Sequence, residues 1–135
     1  MVVIDASVAY KWFNKDEINY SEAIAVLKNH LADKTKIVVP DLILYELTNV
    51  WSTKGTLSPV HIQDNIKLLK QYHLALHRID FELLKTIIIY SKKFDITSYD
   101  ATYVVIAQKR KCDLITADHK LLSRVKFPFI KNLTS

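Results

Sequence analysis

Two carboxylates stand directly after short apolar runs that are typical of buried strands. Asp5 follows the run Val2–Ile4, and Asp118 comes just beyond a second run at 114–116. The carboxyl ends of parallel strands meet at one edge of a sheet, where ligands bind in α/β folds. Both acids also suit the start of a helix, where a side-chain oxygen accepts hydrogen bonds from backbone N–H groups. A catalytic role and a capping role are therefore both open at each position.

Two further carboxylates fall on helix faces that should point inward. Glu46 belongs to an apolar set that begins at Ile43 and recurs every three or four residues, and Asp100 begins a similar set with Tyr103. Burying an unpaired charge is costly, so such an acid must pair, take up a proton or bind a metal. A lysine partner for Glu46 and a favourable helix-dipole position for Asp100 are the structural alternatives.

Taken together, the four acids form a set that a bound cation would stabilise. Two carboxylates about 4 Å apart repel by roughly 4 kcal/mol at an effective dielectric constant near 20. An all-oxygen ligand set predicts Mg²⁺ or Mn²⁺, whereas zinc is disfavoured because no Cys/His spacing supports it. We expect the hydroxyls of Ser7 and Thr116 to orient these ligands through hydrogen bonds. Such a site in a cationic protein suggests phosphodiester chemistry.

The composition indicates a folded protein and allows a phosphate-bearing partner. Half of the 135 residues are hydrophobic, and a single glycine excludes glycine-rich nucleotide loops. The net charge is +5, with sixteen lysines among the nineteen basic residues, which serves either solubility or the binding of a polyanion such as RNA. Lys11 is a candidate phosphate contact. No apolar run is long enough to span a membrane and no signal sequence is apparent, so we expect a cytoplasmic protein without a membrane partner.

Hydrophobic patterning predicts strands that alternate with helices along one domain, residues 1–135. The predicted strands are 2–4, 36–39, 74–79, 114–116 and 127–130. The predicted helices are 8–14, 20–33, 42–54, 59–72, 81–93, 99–110 and 119–124. The predicted caps of these helices are Ser7, Asp41, Ser58, Asp80, Thr97 or Ser98, and Asp118. Strands separated by helices imply a parallel sheet that helices cover on both faces.

Four segments, in order and spread over nearly the whole chain, resemble the motifs of the PIN-domain family. They are VIDASVAYKWF at 3–13, VVPDLILYEL at 38–47, SYDATY at 98–103 and LITADHKL at 114–121. The resemblance implies a three-layer α/β/α sandwich whose central parallel sheet has the strand order 3-2-1-4-5. It also implies a metal-dependent ribonuclease in which the four acids, Asp5, Glu46, Asp100 and Asp118, are catalytic and bind the metal. Thr116 matches a hydroxyl position beside that site.

The compact length is similar to that of the family's VapC-type toxins. This resemblance implies the toxin of a toxin–antitoxin pair, with tRNA or rRNA as substrate and a VapB-type antitoxin as cognate partner. Helix 59–72 carries apolar residues on more than one face, from which we predict a homodimer through this helix. The aromatic residues Tyr10, Trp12 and Phe13 lie close to Asp5 in sequence, and we expect an antitoxin peptide to cover them.

The sequence is also compatible with two functions of other classes. A PIN-like RNA-binding scaffold without catalysis would have the same fold and charge. A receiver-like signalling domain would also gather acids at strand ends, but it requires an acidic pair after its first strand, and here Asp5 is followed by Ala6. Receivers also alternate strand and helix strictly, whereas this chain has consecutive predicted helices at 42–54 and 59–72.

Overall fold

A five-stranded parallel sheet lies at the centre of the structure, a computed structural model that describes residues 1–135. Along the sheet the strands follow the order β3-β2-β1-β4-β5, and every neighbouring pair is parallel. The strands are β1 (Val2–Ile4), β2 (Ile37–Pro40), β3 (Ala75–His77), β4 (Asp113–Thr116) and β5 (Ile130–Asn132). The predicted parallel sheet and its order 3-2-1-4-5 are therefore confirmed.

Seven α-helices flank this sheet, and none has the length and apolar character needed to cross a membrane. They are α1 (Ala6–Ala9), α2 (Tyr20–Leu31), α3 (Leu42–Thr53), α4 (Pro59–Gln71), α5 (Phe81–Phe94), α6 (Ser98–Arg110) and α7 (His119–Arg124). A 3₁₀ helix, Tyr10–Phe13, continues directly from α1. Helix α6 is buried throughout 101–107 and packs on β1, β2 and β4, so the middle of this helix is held against the sheet.

Most helix starts follow the predicted capping chemistry. The side chain of Ser58 accepts a hydrogen bond from the backbone N–H of His61, and Asp80 does the same for Leu83. Thr97 accepts from the N–H of Asp100 at 3.0 Å, so this residue caps α6 and Ser98 does not. Asp41 is one exception, because it already has helical backbone angles and makes no capping hydrogen bond through its side chain.

The start of the first helix differs from the prediction. Asp5 is the N-cap of α1, because its carboxylate accepts a hydrogen bond from the Ser7 N–H at 3.1 Å. The helix consequently begins at Ala6, and the expectation that Ser7 caps a helix over 8–14 is wrong. The Ser7 hydroxyl is instead engaged with residues at the end of β4.

The last strand also lies later than predicted. It spans Ile130–Asn132, whereas the sequence suggested 127–130. The rings of Phe127 and Phe129 stack at 5.2 Å, and Phe127 also contacts Tyr90 and Phe94 of α5. Packing of these rings fixes the segment before β5, so pairing with β4 begins only at Ile130.

Of the aromatic residues that follow α1, Trp12 belongs to the core and Phe13 packs against it. Trp12 is 5% exposed, and its indole N–H donates to the Ala23 carbonyl at 2.8 Å. The ring of Phe13 packs edge to face against Trp51 at 4.9 Å. Trp12 is therefore not available to an antitoxin peptide, and this part of the prediction is wrong. Tyr10 and Phe13 are half-buried, and an antitoxin peptide over them stays a prediction.

Helix α4 presents apolar side chains in two directions. Leu69 is buried, whereas Val60, Ile66 and Leu68 are exposed. This distribution agrees with the sequence pattern that motivated the homodimer prediction, which stays a prediction.

Candidate active site

Asp5 lies at the end of β1 with both carboxylate oxygens held by hydroxyl groups. The register of β1 and β4 pairs Ile4 with Ile115, which brings the next residue on each strand, Asp5 and Thr116, side by side. The Thr116 hydroxyl donates to Asp5 Oδ2 and the Ser7 hydroxyl donates to Asp5 Oδ1, each at 2.5 Å. The carboxylate is thus fixed in one orientation while it is only 4% exposed.

The same two hydroxyls also accept hydrogen bonds from the chain beyond β4. The N–H of Ala117 donates to Ser7 Oγ at 2.9 Å, and the N–H of Asp118 donates to Thr116 Oγ1 at 3.0 Å. Each hydroxyl therefore links Asp5 to the segment that carries Asp118. The predicted supporting residues are brought into direct contact with the first acid.

Burial makes the charged form of Asp5 unfavourable. It raises the pKa of this carboxyl from 3.8 to about 6, although the hydrogen bonds from Ser7 and Thr116 act in the opposite direction. The negative charge of Asp100 raises the pKa further. At neutral pH Asp5 is mostly ionised, so it is a buried negative charge with neutral hydrogen-bond donors as its partners.

Glu46, on α3, is half-buried and is bonded to a tyrosine. The hydroxyl of Tyr103 donates to Glu46 Oε1 at 2.5 Å, across from α6. Burial, and then the charge of Asp100, raise the pKa of Glu46, while the Tyr103 hydrogen bond lowers it. Burial and the charge of Glu46 in turn raise the pKa of Tyr103, so the phenol keeps its proton and donates. Sequence reasoning missed this contact, although Tyr103 stands three residues after Asp100 on the same helix face.

Asp100 and Asp118 complete the group from the first turn of α6 and the start of α7. Burial raises the pKa of Asp100 and the charge of Asp118 raises it further, whereas Thr97 and Lys120 lower it. Asp118 Oδ1 caps α7 by accepting hydrogen bonds from the N–H groups of Lys120 (2.9 Å) and Leu121 (3.3 Å). Asp118 therefore is a cap and also lies near enough to Asp100 for their charges to interact.

No basic side chain forms an ion pair with any of the four acids. The ion pairs of the molecule are Lys11–Glu17, Lys85–Glu82 and Arg124–Asp95. The lysine partner considered for Glu46 is therefore not found. Lys11 is itself buried, and its ammonium donates to the Ile18 carbonyl at 2.8 Å and lies 3.7 Å from Glu17. This position favours a role in holding the 14–19 segment over a contact with substrate phosphate.

The four acids suit a hard divalent cation in their chemistry. All of their ligand atoms are oxygens, and the charge of Asp100 acts on Asp5 and Glu46 while that of Asp118 acts on Asp100. No three Asp, Glu, His or Cys side chains are arranged so that they could hold a metal ion by themselves. Mg²⁺ usually takes one or two carboxylates and keeps several waters, so a looser arrangement of acids fits its coordination.

A cleft of about 950 Å³ borders the acids on the side of Glu46. Two tyrosines line it, and each precedes a candidate acid in the sequence: Tyr45 before Glu46 and Tyr99 before Asp100. Tyr45 is 74% exposed and Tyr99 is 57% exposed, which is high for aromatic rings. The side chains of Thr48, Asn49 and Ser52 add polar groups to the same cleft.

Comparison with family models gives one match, to the PIN domain, which covers residues 2–128. Comparison with curated proteins gives no match.

Solved structures share the fold at low sequence identity. A toxin–antitoxin complex from Klebsiella pneumoniae has a TM-score of 0.73 at 14% identity, with 98% of each chain covered. VapBC2 from Rickettsia felis, bound to a DNA fragment from its promoter, has a TM-score of 0.72 at 15% identity, again with 98% of each chain covered. VapC20 from Mycobacterium tuberculosis, a sarcin-ricin loop cleaving toxin, has a TM-score of 0.70 at 14% identity, with 97% of this chain and 99% of that chain covered.

Proposed function

This chain belongs to the PIN domain family, and on that premise we propose that residues 1–135 form one PIN-like domain that acts as a metal-dependent endoribonuclease. The observation that carries the proposal is the set of four acids at one edge of the sheet, none of which pairs with a lysine or arginine. Carboxylates whose ionisation is made costly by burial and by one another cluster at functional sites. The family match overturns the receiver-like alternative.

In this proposal Asp5, Glu46, Asp100 and Asp118 hold Mg²⁺ or Mn²⁺, directly or through bound water. A cation bound there would lower the pKa of an attacking water and stabilise the leaving oxygen of the phosphodiester. The hydroxyls of Ser7 and Thr116 keep Asp5 in one orientation, because each donates to a different carboxylate oxygen. Fixed ligands of this kind need little rearrangement when the cation and the substrate arrive.

We propose that the RNA strand lies between Lys120 and the cleft lined by Tyr45 and Tyr99. The positive charge of Lys120 acts on Asp100, so this lysine is a cation beside the acids and suits a phosphate group. The exposed tyrosine rings suit unpaired bases, since stacking on an aromatic side chain contributes about 1–3 kcal/mol per base. Lys11 has no part in this proposal, because its ammonium is bound to the Ile18 carbonyl.

The biological role that fits this activity best is that of a toxin. Among the proteins with a similar fold, one is a sarcin-ricin loop cleaving toxin and two are in toxin–antitoxin complexes. We therefore propose tRNA or rRNA in the cytoplasm as the substrate and a VapB-type antitoxin as the cognate partner. The exposed apolar residues of α4, Val60, Ile66 and Leu68, are the surface through which we propose that the protein forms a homodimer.

The proposal is tested by incubating the purified protein with mixed tRNA and rRNA fragments in Mg²⁺, in Mn²⁺ and in chelator. We expect cleavage that requires the cation, that is lost in Asp100→Asn, and that persists in Glu82→Gln, which removes an exposed carboxylate paired only with Lys85. Undiminished cleavage in chelator would overturn the metal mechanism. Tight RNA binding with no cleavage under any condition would favour the non-catalytic scaffold.

A further inference from the structure

The contact between Tyr103 and Glu46 differs in its donor from the contacts that hold Asp5. Asp5 is bound by the short side-chain hydroxyls of Ser7 in α1 and Thr116 at the end of β4. Glu46 on α3 is instead bound by the phenol of Tyr103, which reaches over from α6. The donor and acceptor are separated by 57 residues, and the O···O distance is 2.5 Å. Tyr103 is only 1% exposed, so its hydroxyl has no access to bulk water.

We propose that Tyr103 is a positioning residue, which holds Glu46 Oε1 and thereby presents the remaining carboxylate oxygen to the divalent cation. This inference rests on the proposed function, because it concerns the same acids. Glu46 has three rotatable side-chain bonds and is only half-buried, so without a partner it would sample several orientations. The ring of Tyr103 is fixed by the core. Its single hydrogen bond therefore holds the Glu46 carboxylate of α3 in a fixed position relative to α6.

The position of Tyr103 along α6 supports this role. Tyr103 follows Asp100 by three residues, so the two side chains lie on the same face of the helix, one turn apart. Movement of α6 would therefore displace Asp100 and the support of Glu46 together. The one helix thus sets the spacing between two of the acids, which reach the site from different helices.

A purely structural role predicts a different pattern of effects. If the hydroxyl only satisfied a buried polar group, replacing Tyr103 by Phe would leave an apolar ring in an apolar core, with little consequence for the metal. If the hydroxyl positions Glu46, the same substitution would weaken metal binding while the fold is kept. Residues that orient metal ligands in this way typically affect metal affinity 10- to 100-fold.

The experiment compares Mg²⁺ binding by wild type, Tyr103→Phe and Tyr90→Phe, using calorimetric titration of the full chain with MgCl₂ alone. Tyr90→Phe is the matched control, because it removes a phenol that donates to Gln108 at 2.6 Å, away from the acids. We expect Mg²⁺ to bind about 10-fold or more weakly to Tyr103→Phe and with unchanged affinity to Tyr90→Phe. Equal affinities of wild type and Tyr103→Phe would overturn the inference and leave the proposed function intact.

A double-mutant cycle with Glu46→Gln separates positioning from packing. Because the hydroxyl acts through the carboxylate, Tyr103→Phe should cause little further loss of Mg²⁺ affinity once Glu46 is replaced. The same loss in both backgrounds would show that Tyr103 acts through the core and would overturn the positioning role. Wild-type protein that binds no Mg²⁺ would overturn both this inference and the proposed function.

Discussion

Two buried polar side chains, Asp5 and His30, are accommodated in opposite ways. His30, in α2, is 8% exposed; its Nδ1 accepts the N–H of Ile37 at 3.0 Å and its Nε2 donates to the Tyr72 carbonyl at 2.7 Å. Accepting at Nδ1 requires a neutral ring, so His30 carries no charge and has all its hydrogen bonds made. Asp5 is 4% exposed and also has its oxygens bonded, but it is an acid whose partners carry no charge.

The difference distinguishes polar groups that hold the fold from polar groups that are available for chemistry. His30 joins α2 to β2 and to the end of α4 through backbone partners, which is a structural task. Lys11 is similar, since its ammonium is bound to a carbonyl. The polar side chains around Asp5 do not neutralise its negative charge, whereas a bound cation would.

The largest expected difference is in catalysis. Asp100→Asn should reduce RNA cleavage at least about 100-fold, because it removes a proposed cation ligand. His30→Leu should reduce the cleavage rate per folded molecule by less than about 10-fold, since His30 lies outside the acids. Single-turnover cleavage, corrected for the folded fraction by circular dichroism, measures both. Equal losses of cleavage activity in the two variants would contradict the distinction between the four acids and the structural histidine.

The next effect is a dependence of stability on pH that arises from the buried carboxyl of Asp5. The pKa of Asp5 is about 6 in the folded state and near 3.8 in the unfolded state, so between these values the folded state binds the extra proton. Without metal, the contribution of Asp5 to the free energy of unfolding is therefore complete below about pH 4. It falls by about 3 kcal/mol as the pH rises past 6. Urea unfolding of wild type and Asp5→Asn from pH 4 to 7.5 measures this contribution, as the difference between their free energies of unfolding at each pH. A stability difference between them that stays constant over this range would contradict the account.

The structural histidine should have its main effect on folding. His30→Leu leaves the Ile37 N–H and the Tyr72 carbonyl without their side-chain partner, and we expect a loss of about 2 kcal/mol in the free energy of unfolding. The loss should be similar with and without Mg²⁺. His61→Leu is the matched control, because His61 is exposed on α4. A variant as stable as wild type would show that the His30 contacts contribute little.

The smallest effect is expected for Asp100→Asn in the absence of metal. Loss of the negative charge from the first turn of α6 costs about 0.3–1 kcal/mol. Relief of repulsion with Asp5, Glu46 and Asp118 acts in the opposite direction, so the variant should unfold no more easily than wild type. Differential scanning calorimetry in chelator measures the balance. A melting temperature far below that of wild type would identify Asp100 as a structural residue.

Much of this fold could be predicted from the sequence because its signals are local. The caps at Ser58, Asp80 and Thr97 depend on hydrogen bonds within three residues, and they were predicted correctly. The cap at Ser7 was predicted wrongly, because the Ser7 hydroxyl is taken by contacts with Asp5 and with Ala117, which is 110 residues away in sequence. Long-range competition of this kind leaves no pattern in the local sequence.

The site could be predicted in part for the same reason. The four acids stand at strand ends and on apolar helix faces, which are positions that a sequence reveals. The phenol of Tyr103 on Glu46 depends on how α3 packs against α6 and could not be derived from spacing alone. Trp12 shows the converse, since an aromatic residue near Asp5 in sequence turned out to be core.

The central claim is that the acids at the sheet edge form a site for a divalent cation, and Mg²⁺-dependent stability tests it most directly. The melting temperatures of wild type, Asp100→Asn and Glu82→Gln would be measured by calorimetry over a series of MgCl₂ concentrations at constant ionic strength. We expect wild type and Glu82→Gln to gain stability alike, by about 2.7 kcal/mol at a Mg²⁺ concentration 100 times the Kd, and Asp100→Asn to gain much less. An equal Mg²⁺ response in wild type and Asp100→Asn would contradict the claim.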